Sequence, residues 1–296
     1  MSNIAIIGLG KMGMSHLNSF LNDKNRYNLF LYDKNLVKIN KIKKLKIKNK
    51  KVIANVKLPK YERFEFVVVA TKSKERYDVI NHILKFNNVR FILLEKFLFN
   101  KLNEFKNFEN RYKKKLNKIY VNIWSRYFLN LINLKIGKES FVIKVELPER
   151  KILTNLIHLY EIFKILGKSK IKIDLSFFKL FKLKNGYHDG TGKIILKNDL
   201  GSTMEIFSKK KENNFYIEFK SKKLDERIDL EHNKIKIKKK KKKINFPLAS
   251  KVTCNFYKNL KKRENIFFPK YNLIKRSSKE IIKTLSLKYK KNIYIY

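Results

Sequence analysis

The chain has 296 residues, 44% of them hydrophobic and 13% aromatic, and a formal net charge of +46. That length suits two domains or one large one, and the apolar content supplies a core, which excludes a disordered chain. A single cysteine, Cys254, excludes a disulfide scaffold, and no apolar run approaches the ~18 residues of a membrane span.

From the N-terminus, residues 3–7 read as a short strand and 11–21 as a helix, with Met14, Leu17 and Leu21 on one face. Residues 27–32 predict a second strand and 51–54 a third. The continuous apolar run at 64–70 suits a strand covered by helices on both faces. A helix over 74–86 and a buried strand over 90–94 follow. Strands alternating with helices mean βαβ units and a parallel sheet. Beyond residue 118 the texture changes. The expected elements are a strand at 119–124, a helix at 126–134, a strand at 141–147 and an amphipathic helix at 151–166 capped by Gly167. Residues 169–237 read as successive antiparallel strands, with turns at Asn185-Gly186, Asp189-Gly190 and 199–201. Two further helices are expected at about 248–262 and 277–289. The lysine tract 238–243 reads as a solvated loop. The predicted fold is α/β: an N-terminal Rossmann domain (1–118) with a doubly wound parallel sheet, then an α+β domain (119–296) with a large, mostly antiparallel open sheet. The C-terminal helices are allowed to pack back on the first domain.

The charge alone points to nucleic acid or an anionic membrane surface. Sixty-one of the 71 cations are lysine, however, and the chain is rich in Ile, Asn, Phe and Tyr but holds only 4 Pro and 9 Gly. AT-rich codons produce that skew, and nucleic-acid readers favour arginine. No specific nucleic-acid partner is expected. The five histidines (16, 82, 158, 188 and 232) show no metal-ligand spacing, so no metal site is expected. His188-Asp189 reads as a loop that could edge a substrate cleft.

The chemistry-bearing stretch is Gly8-Leu9-Gly10-Lys11-Met12-Gly13, directly after the first strand and opening a helix. Gly8 permits the tight turn, Gly10 lets backbone approach a pyrophosphate, and Gly13 brings helix and strand together. Free N–H groups at the helix N-terminus then meet the phosphates. Asp33, twenty residues past Gly13, ends the second strand. A carboxylate there accepts the ribose hydroxyls and repels a 2′-phosphate, which favours NAD over NADP, a preference that Lys34 and Lys38 weaken.

With His16 added, this opening resembles that of the glucose–fructose oxidoreductase / inositol dehydrogenase (Gfo/Idh/MocA) family. The resemblance continues through residues 67–71, ending in Thr71, through Leu93-Leu94-Glu95-Lys96, and through residues 154–161, with Gly201 and Phe268-Pro269 beyond. It implies hydride transfer between a nicotinamide cofactor and a carbinol or keto carbon of a sugar, cyclitol or nucleotide-sugar. It further implies Lys96 and His158 as catalytic residues, with His158 expected on the exposed start of a helix, Lys11, Met12, Thr71 and Glu95 beside the glycines and Asp33 at the cofactor, and Arg126, Thr154 and Asn155 at the substrate. A cytoplasmic homo-oligomer, dimer or tetramer, is expected. The basic field suggests an anionic substrate, as in surface-polysaccharide synthesis. Departures stand beside the matches. Lys72 and Phe97 replace prolines, Arg76 stands where histidine is common, Thr154 and Leu156 replace Asp and Gly, and Glu161 replaces Asp. A cis peptide before a residue other than proline costs about 3 kcal/mol, so a trans bond before Phe97 is expected, with Lys96 displaced. Those departures leave two further readings: a non-catalytic NAD-binding sensor or assembly protein, and a nucleic-acid binder that uses the lysine surface.

Overall fold

Strands covered on both faces are apolar at every position, and the first part of the chain is built from such strands. The computed structural model of the protein describes residues 1–44, 50–134, 139–208, 215–231, 234–237, 242–246 and 249–295. It divides into two units, residues 1–123 with 248–276 and residues 124–247 with 277–296. In the first run β1 (Ser2–Ile7), α1 (Lys11–Leu21), β2 (Tyr27–Tyr32), α2 (Leu36–Lys43), β3 (Lys51–Asn55), β4 (Arg63–Val69), α3 (Ser73–Phe86), β5 (Asn88–Leu94), α4 (Leu102–Tyr112) and β6 (Ile119–Val121). The six strands form one parallel sheet in the order β3-β2-β1-β4-β5-β6. Its centre is fully buried through Ile4 to Ile6, Val67 to Val69 and Ile92 to Leu94. The order reverses between β1 and β4, the topological switch point at which α/β sheets bind ligands.

The second unit carries α5 (Ser125–Ile132), β7 (Val142–Leu147), α6 (Ile152–Gly167), β8 (Ile171–Asp174), β9 (Phe178–Lys182), β10 (His188–Asn198), β11 (Thr203–Ser208), β12 (Tyr216–Lys220), β13 (Asp225–Glu231), β14 (Lys234–Ile237) and β15 (Lys242–Asn245). These strands make one large sheet, β15-β14-β13-β12-β7-β11-β10-β8, with β9 paired to β10. Each of its pairs is antiparallel except β7 with β11. One face is apolar and buried, through Ile143, Val145, Ile194, Leu196, Met204, Ile206, Ile217, Phe219 and Ile228.

Two elements close the chain, α7 (Thr253–Lys262) and α8 (Tyr271–Tyr289). The first of them returns to the N-terminal unit. Phe256 is fully buried, with its ring 5.3 Å from Tyr120, 6.4 Å from Phe66 and 4.6 Å from Phe268. The Val121 N–H donates to the Pro269 carbonyl at 2.9 Å.

Several local expectations need correction. The sixth strand stops at Val121 because α5 begins four residues later, at Ser125. Gly167 is the last residue of α6, and the left-handed cap is Lys168, at φ 48°. Gly167 instead answers a close approach, since a Cβ there would lie 2.6 Å from Asn198 Nδ2. Asp189-Gly190 makes no turn: both residues pair with β9 inside β10. Of the lysine tract, 238–241 lie outside the described residues, while 242 and 243 belong to β15 rather than to a loop. Helices α2 and α4 escape the sequence reading because both are short and rich in polar residues, and α2 is announced only by Asn35, whose side chain accepts the Lys38 N–H.

Phe256→Ala removes a ring that joins α7 to the parallel sheet. Denaturant unfolding of the whole chain should lose about 3–5 kcal/mol, and an unchanged midpoint would mean that α7 lies outside this core.

Candidate functional site

At Gly8 the backbone leaves β1 with φ 90°, and its N–H donates to the Tyr32 carbonyl at 2.7 Å. A Cβ there would sit 2.8 Å from Thr71 N, and one on Gly13 would sit 1.8 Å from the Gly8 carbonyl oxygen. Both glycines therefore permit backbone contact within the fold. Gly10 differs, because nothing lies within 4 Å of where its Cβ would be. It is the N-cap of α1, no side chain caps that helix, and its first turn carries no acid. Lys11 is exposed and Met12 half-buried beside it. A helix start with unclaimed N–H groups and open space above Gly10 suits a bound phosphate.

Asp33 closes one end of this loop. Its Oδ2 accepts the Leu9 N–H at 2.7 Å and Lys38 Nζ at 3.0 Å, and its Oδ1 accepts the Asn35 N–H at 2.9 Å. Burial acts to raise this carboxyl, but the bonds from Asn35, Leu9 and Lys38 outweigh it and hold Asp33 below the usual carboxylate range. Thr71, after β4, has a buried hydroxyl with no hydrogen-bond partner among the described residues, next to Gly8.

Glu95, at the end of β5, faces into the protein. It is 5% exposed, and its Oε1 meets His16 Nε2 at 2.8 Å and accepts from Asn122 Nδ2 at 2.5 Å. Burial would raise its carboxyl, and the His16 and Asn122 contacts overcome that and lower it. His16 Nδ1 lies 2.6 Å from the Thr253 hydroxyl, which donates to the Ser250 carbonyl. Lys96 is half-buried. The peptide between Lys96 and Phe97 is cis, correcting the expected trans bond. The surroundings specify it: Phe97, Leu98 and Phe99 are fully buried, and the buried Arg76 donates to the Phe97 carbonyl. Arg76 also donates to the Thr71 carbonyl at 2.5 Å, so one guanidinium joins the loops after β4 and β5. Sequence reasoning noted Arg76 only as a departure and missed Asn122 and Thr253. An Asn just past the β6 strand was the one available signal.

In the second unit, His158 lies inside α6 at 4% exposure rather than on an exposed helix start, because the apolar face of α6 carries it inward. Its ring stacks on Trp124, with centroids 4.8 Å apart and planes inclined at 30°. Trp124 is in turn bracketed edge-on by Phe128 and Phe246. Ser125 Oγ donates to the His158 carbonyl at 2.7 Å. Arg126 is exposed on the first turn of α5. Thr154 and Asn155 are half-buried, and Asn155 Nδ2 donates to the Lys151 carbonyl. Glu161 is buried and accepts from Lys164 Nζ at 3.2 Å and from the Ser277 hydroxyl. His188-Asp189 is no loop. Asp189 Oδ1 accepts the Leu153 N–H at the start of α6, and His188 Nδ1 accepts the Tyr294 N–H, both at 3.0 Å. The Cys254 thiol is buried beside the Tyr27 hydroxyl, and burial pushes it up to about 11. Among the described residues no group of three or more His, Cys, Asp or Glu is placed to hold a metal ion, and no helix is long and apolar enough to cross a membrane.

Known proteins share this architecture. Solved structures align over nearly the whole chain at low identity, which speaks for the fold alone. A myo-inositol dehydrogenase from Corynebacterium glutamicum is 14% identical, with 97% of this chain and 95% of that one covered and a TM-score of 0.63. The 3-ketoreductase KijD10 from Actinomadura kijaniata, solved with TDP-benzene and NADP, is 11% identical, with 94% of each chain covered and a TM-score of 0.66. A super-repressor mutant of Gal80p from Saccharomyces cerevisiae is 15% identical, with 98% and 95% covered and a TM-score of 0.64. No curated protein matches the sequence. The family described as "Oxidoreductase family, NAD-binding Rossmann fold" matches residues 2–123. Those residues carry the glycine loop, Asp33, Thr71, Glu95 and Lys96, so the first part of the chain, residues 2–123, is similar to the Gfo/Idh/MocA oxidoreductases.

Proposed function

We propose that the protein is an NAD(P)-dependent oxidoreductase acting on a carbinol or keto carbon of a sugar, cyclitol or nucleotide-sugar. Cofactor binding is assigned to the first unit, with substrate binding and self-association in the second. The observation that carries this reading is the glycine loop, where Gly8 and Gly13 are consumed by backbone packing while Gly10 alone opens onto free space at an uncapped helix start. A dinucleotide fits these residues. Gly10 admits the pyrophosphate, the Lys11 and Met12 N–H groups face it, and the partnerless Thr71 hydroxyl supplies a further polar contact.

When bound, the nicotinamide supplies a two-electron acceptor or donor for hydride. The chain's own residues handle the proton and the charge. Oxidation of a carbinol releases one hydroxyl proton, which is assigned to the His158 imidazole. The Lys96 ammonium is assigned to the reacting oxygen, where it steadies alkoxide charge. Glu95 is assigned a supporting part: with His16 and Asn122 on its carboxylate, it fixes the strand end from which Lys96 projects. Arg126, Thr154 and Asn155 are assigned to the substrate. Its anionic character and a place in surface-polysaccharide synthesis rest on the basic surface.

A homo-oligomer is part of this proposal. The face of the large sheet opposite its apolar side carries several ion pairs in a chain of +46. Lys193 pairs with Glu205, Lys197 with Asp174, and Arg227 with both Glu218 and Asp229. The Arg227 guanidinium also lies 3.8 Å from the Tyr216 ring centroid.

A second reading, a non-catalytic NAD-binding sensor or assembly protein, is favoured by the burial of His158 under Trp124. Lys96→Ala and His158→Gln separate the two. An oxidoreductase should lose about a hundredfold or more in turnover with a polyol and sugar panel in either variant while NADH still binds. Wild-type protein that binds the cofactor but reduces no NAD(P)+ with any panel member supports the sensor.

Gly10→Ala should unfold at the parental temperature yet lose NADH binding by about tenfold or more in calorimetry, since its methyl enters the open space above the helix start. Retained affinity would remove the pyrophosphate from that position.

Arg227→Glu would set three carboxylates together, and light scattering should report a lower mass than for the parent. A parent that is already monomeric would end the oligomer assignment.

A further inference from the structure

The end of β2 carries an arrangement that the rule "Asp33 means NAD" does not describe. An aspartate at this position rejects a 2′-phosphate when its charge is bare and its oxygens are free to take the ribose hydroxyls. Here the charge is paired and three of the carboxylate's four acceptor positions are taken. The side chain of Asp33 is 8% exposed, and both of its oxygens already accept bonds, from the Leu9 N–H and Lys38 Nζ on one and the Asn35 N–H on the other. Its carboxylate is engaged in joining the glycine loop to the start of α2. Lys38 stands over it on the solvent side, with its side chain 42% exposed and Nζ 3.0 Å from Oδ2. Lys34, 79% exposed, lies at the same strand end and reaches Glu75 Oε1 at 2.7 Å. This strand end therefore holds two ion pairs, Lys38 with Asp33 and Lys34 with Glu75, and Lys38 is the ammonium that stands on the Asp33 carboxylate itself.

We propose that Lys38 is the specificity-determining residue for the cofactor: it masks Asp33 and offers a cation to an adenosine 2′-phosphate, so that the protein takes NADP(H). This rests on the reading of the glycine loop as a dinucleotide site and names which dinucleotide it takes. Lysine holds a phosphate as a point charge, and an ammonium already beside the site can bridge Asp33 and the incoming phosphate. No bond is made or broken; the step is one of charge compensation. Without Lys38 the same Asp33 would confront the phosphate with an uncompensated negative charge about a hydrogen-bonded distance away, a repulsion strong at such short range.

A charge of +46 draws any anion inward, and the extra phosphate of NADPH more than NADH, so a parental preference for NADPH does not by itself assign Lys38, whereas a parent that prefers NADH overturns the proposal. The decisive quantity is the ratio of NADPH to NADH affinity across variants, read by calorimetry on the full chain at fixed physiological salt. The 2′,5′-ADP and 5′-ADP pair repeats the comparison without nicotinamide. In Lys38→Ala the ratio should fall about tenfold or more, Lys38→Arg should restore it to within about threefold, and Lys114→Ala, an exposed lysine on the turn after α4, should leave it unmoved. A ratio unchanged in Lys38→Ala, or lowered equally in Lys114→Ala, overturns the assignment of Lys38 while leaving the dinucleotide site intact. If the parent binds neither NADH nor NADPH, the dinucleotide reading falls, and this inference with it.

Discussion

A carboxylate sealed inside the first unit sets the geometry of the strand ends. Glu95 follows β5 and is buried, and a buried charge survives only when it is paired and hydrogen-bonded. His16 reaches it from α1 and Asn122 from the residue after β6, while Thr253 holds the far nitrogen of His16 from α7. Four elements separated by up to 237 residues thus converge on one group. Because the folded carboxyl titrates below its ordinary value, the stability it contributes is complete above the usual carboxylate range. That stability is lost as pH falls through the lowered one. At neutral pH the residue next to Lys96 is therefore held by a buried charge that His16 and Asn122 answer.

The same clasp explains why the chain returns to its first unit near the end. Ser250 Oγ donates to Ser15, Ser19 Oγ accepts the Cys254 N–H, and Lys258 pairs with Asp23. Each bond fixes α1 from the side away from its N-terminus. A helix that is to offer free N–H groups at its start must be anchored elsewhere, and the face of α1 supplies that anchorage through Leu17 and Phe20 in the core and these polar contacts outside it. The open space at Gly10 and the crowding at Gly8 and Gly13 are two consequences of one placement.

Much of this was legible in the residues. The strands of the parallel sheet announce themselves because they are apolar at consecutive positions, and α1 and β2 begin and end where periodicity and turn residues place them. The large sheet was legible in kind through alternation, but its parallel β7–β11 pair was not, since register between distant strands leaves no local trace. The glycine loop could be read because its spacing follows directly on β1 and opens α1, although only Gly8 and Gly13 meet a steric demand within the fold. Glu95 could be read only as a position: nothing near it in sequence says that its charge is answered by His16 and Asn122. His158 was misplaced to an exposed surface because a histidine between apolar residues looks like a polar tip until Trp124 is brought onto it.

The loops after β4 and β5 are tied by a side chain and not by proline. Proline after Thr71 and after Lys96 would stiffen both loops by fixing φ without a partner. This chain has Lys72 and Phe97 instead, and a side chain does the tying. Arg76, on the first turns of α3, sends one nitrogen to the Thr71 carbonyl and another to the Phe97 carbonyl. A guanidinium suits that task because its donors form a planar fork and it stays charged at any working pH. Lysine could reach one carbonyl but would not span both with fixed geometry. In a chain with ten arginines and sixty-one lysines, an arginine at this buried position between the loops after β4 and β5 meets a geometric requirement that charge alone does not.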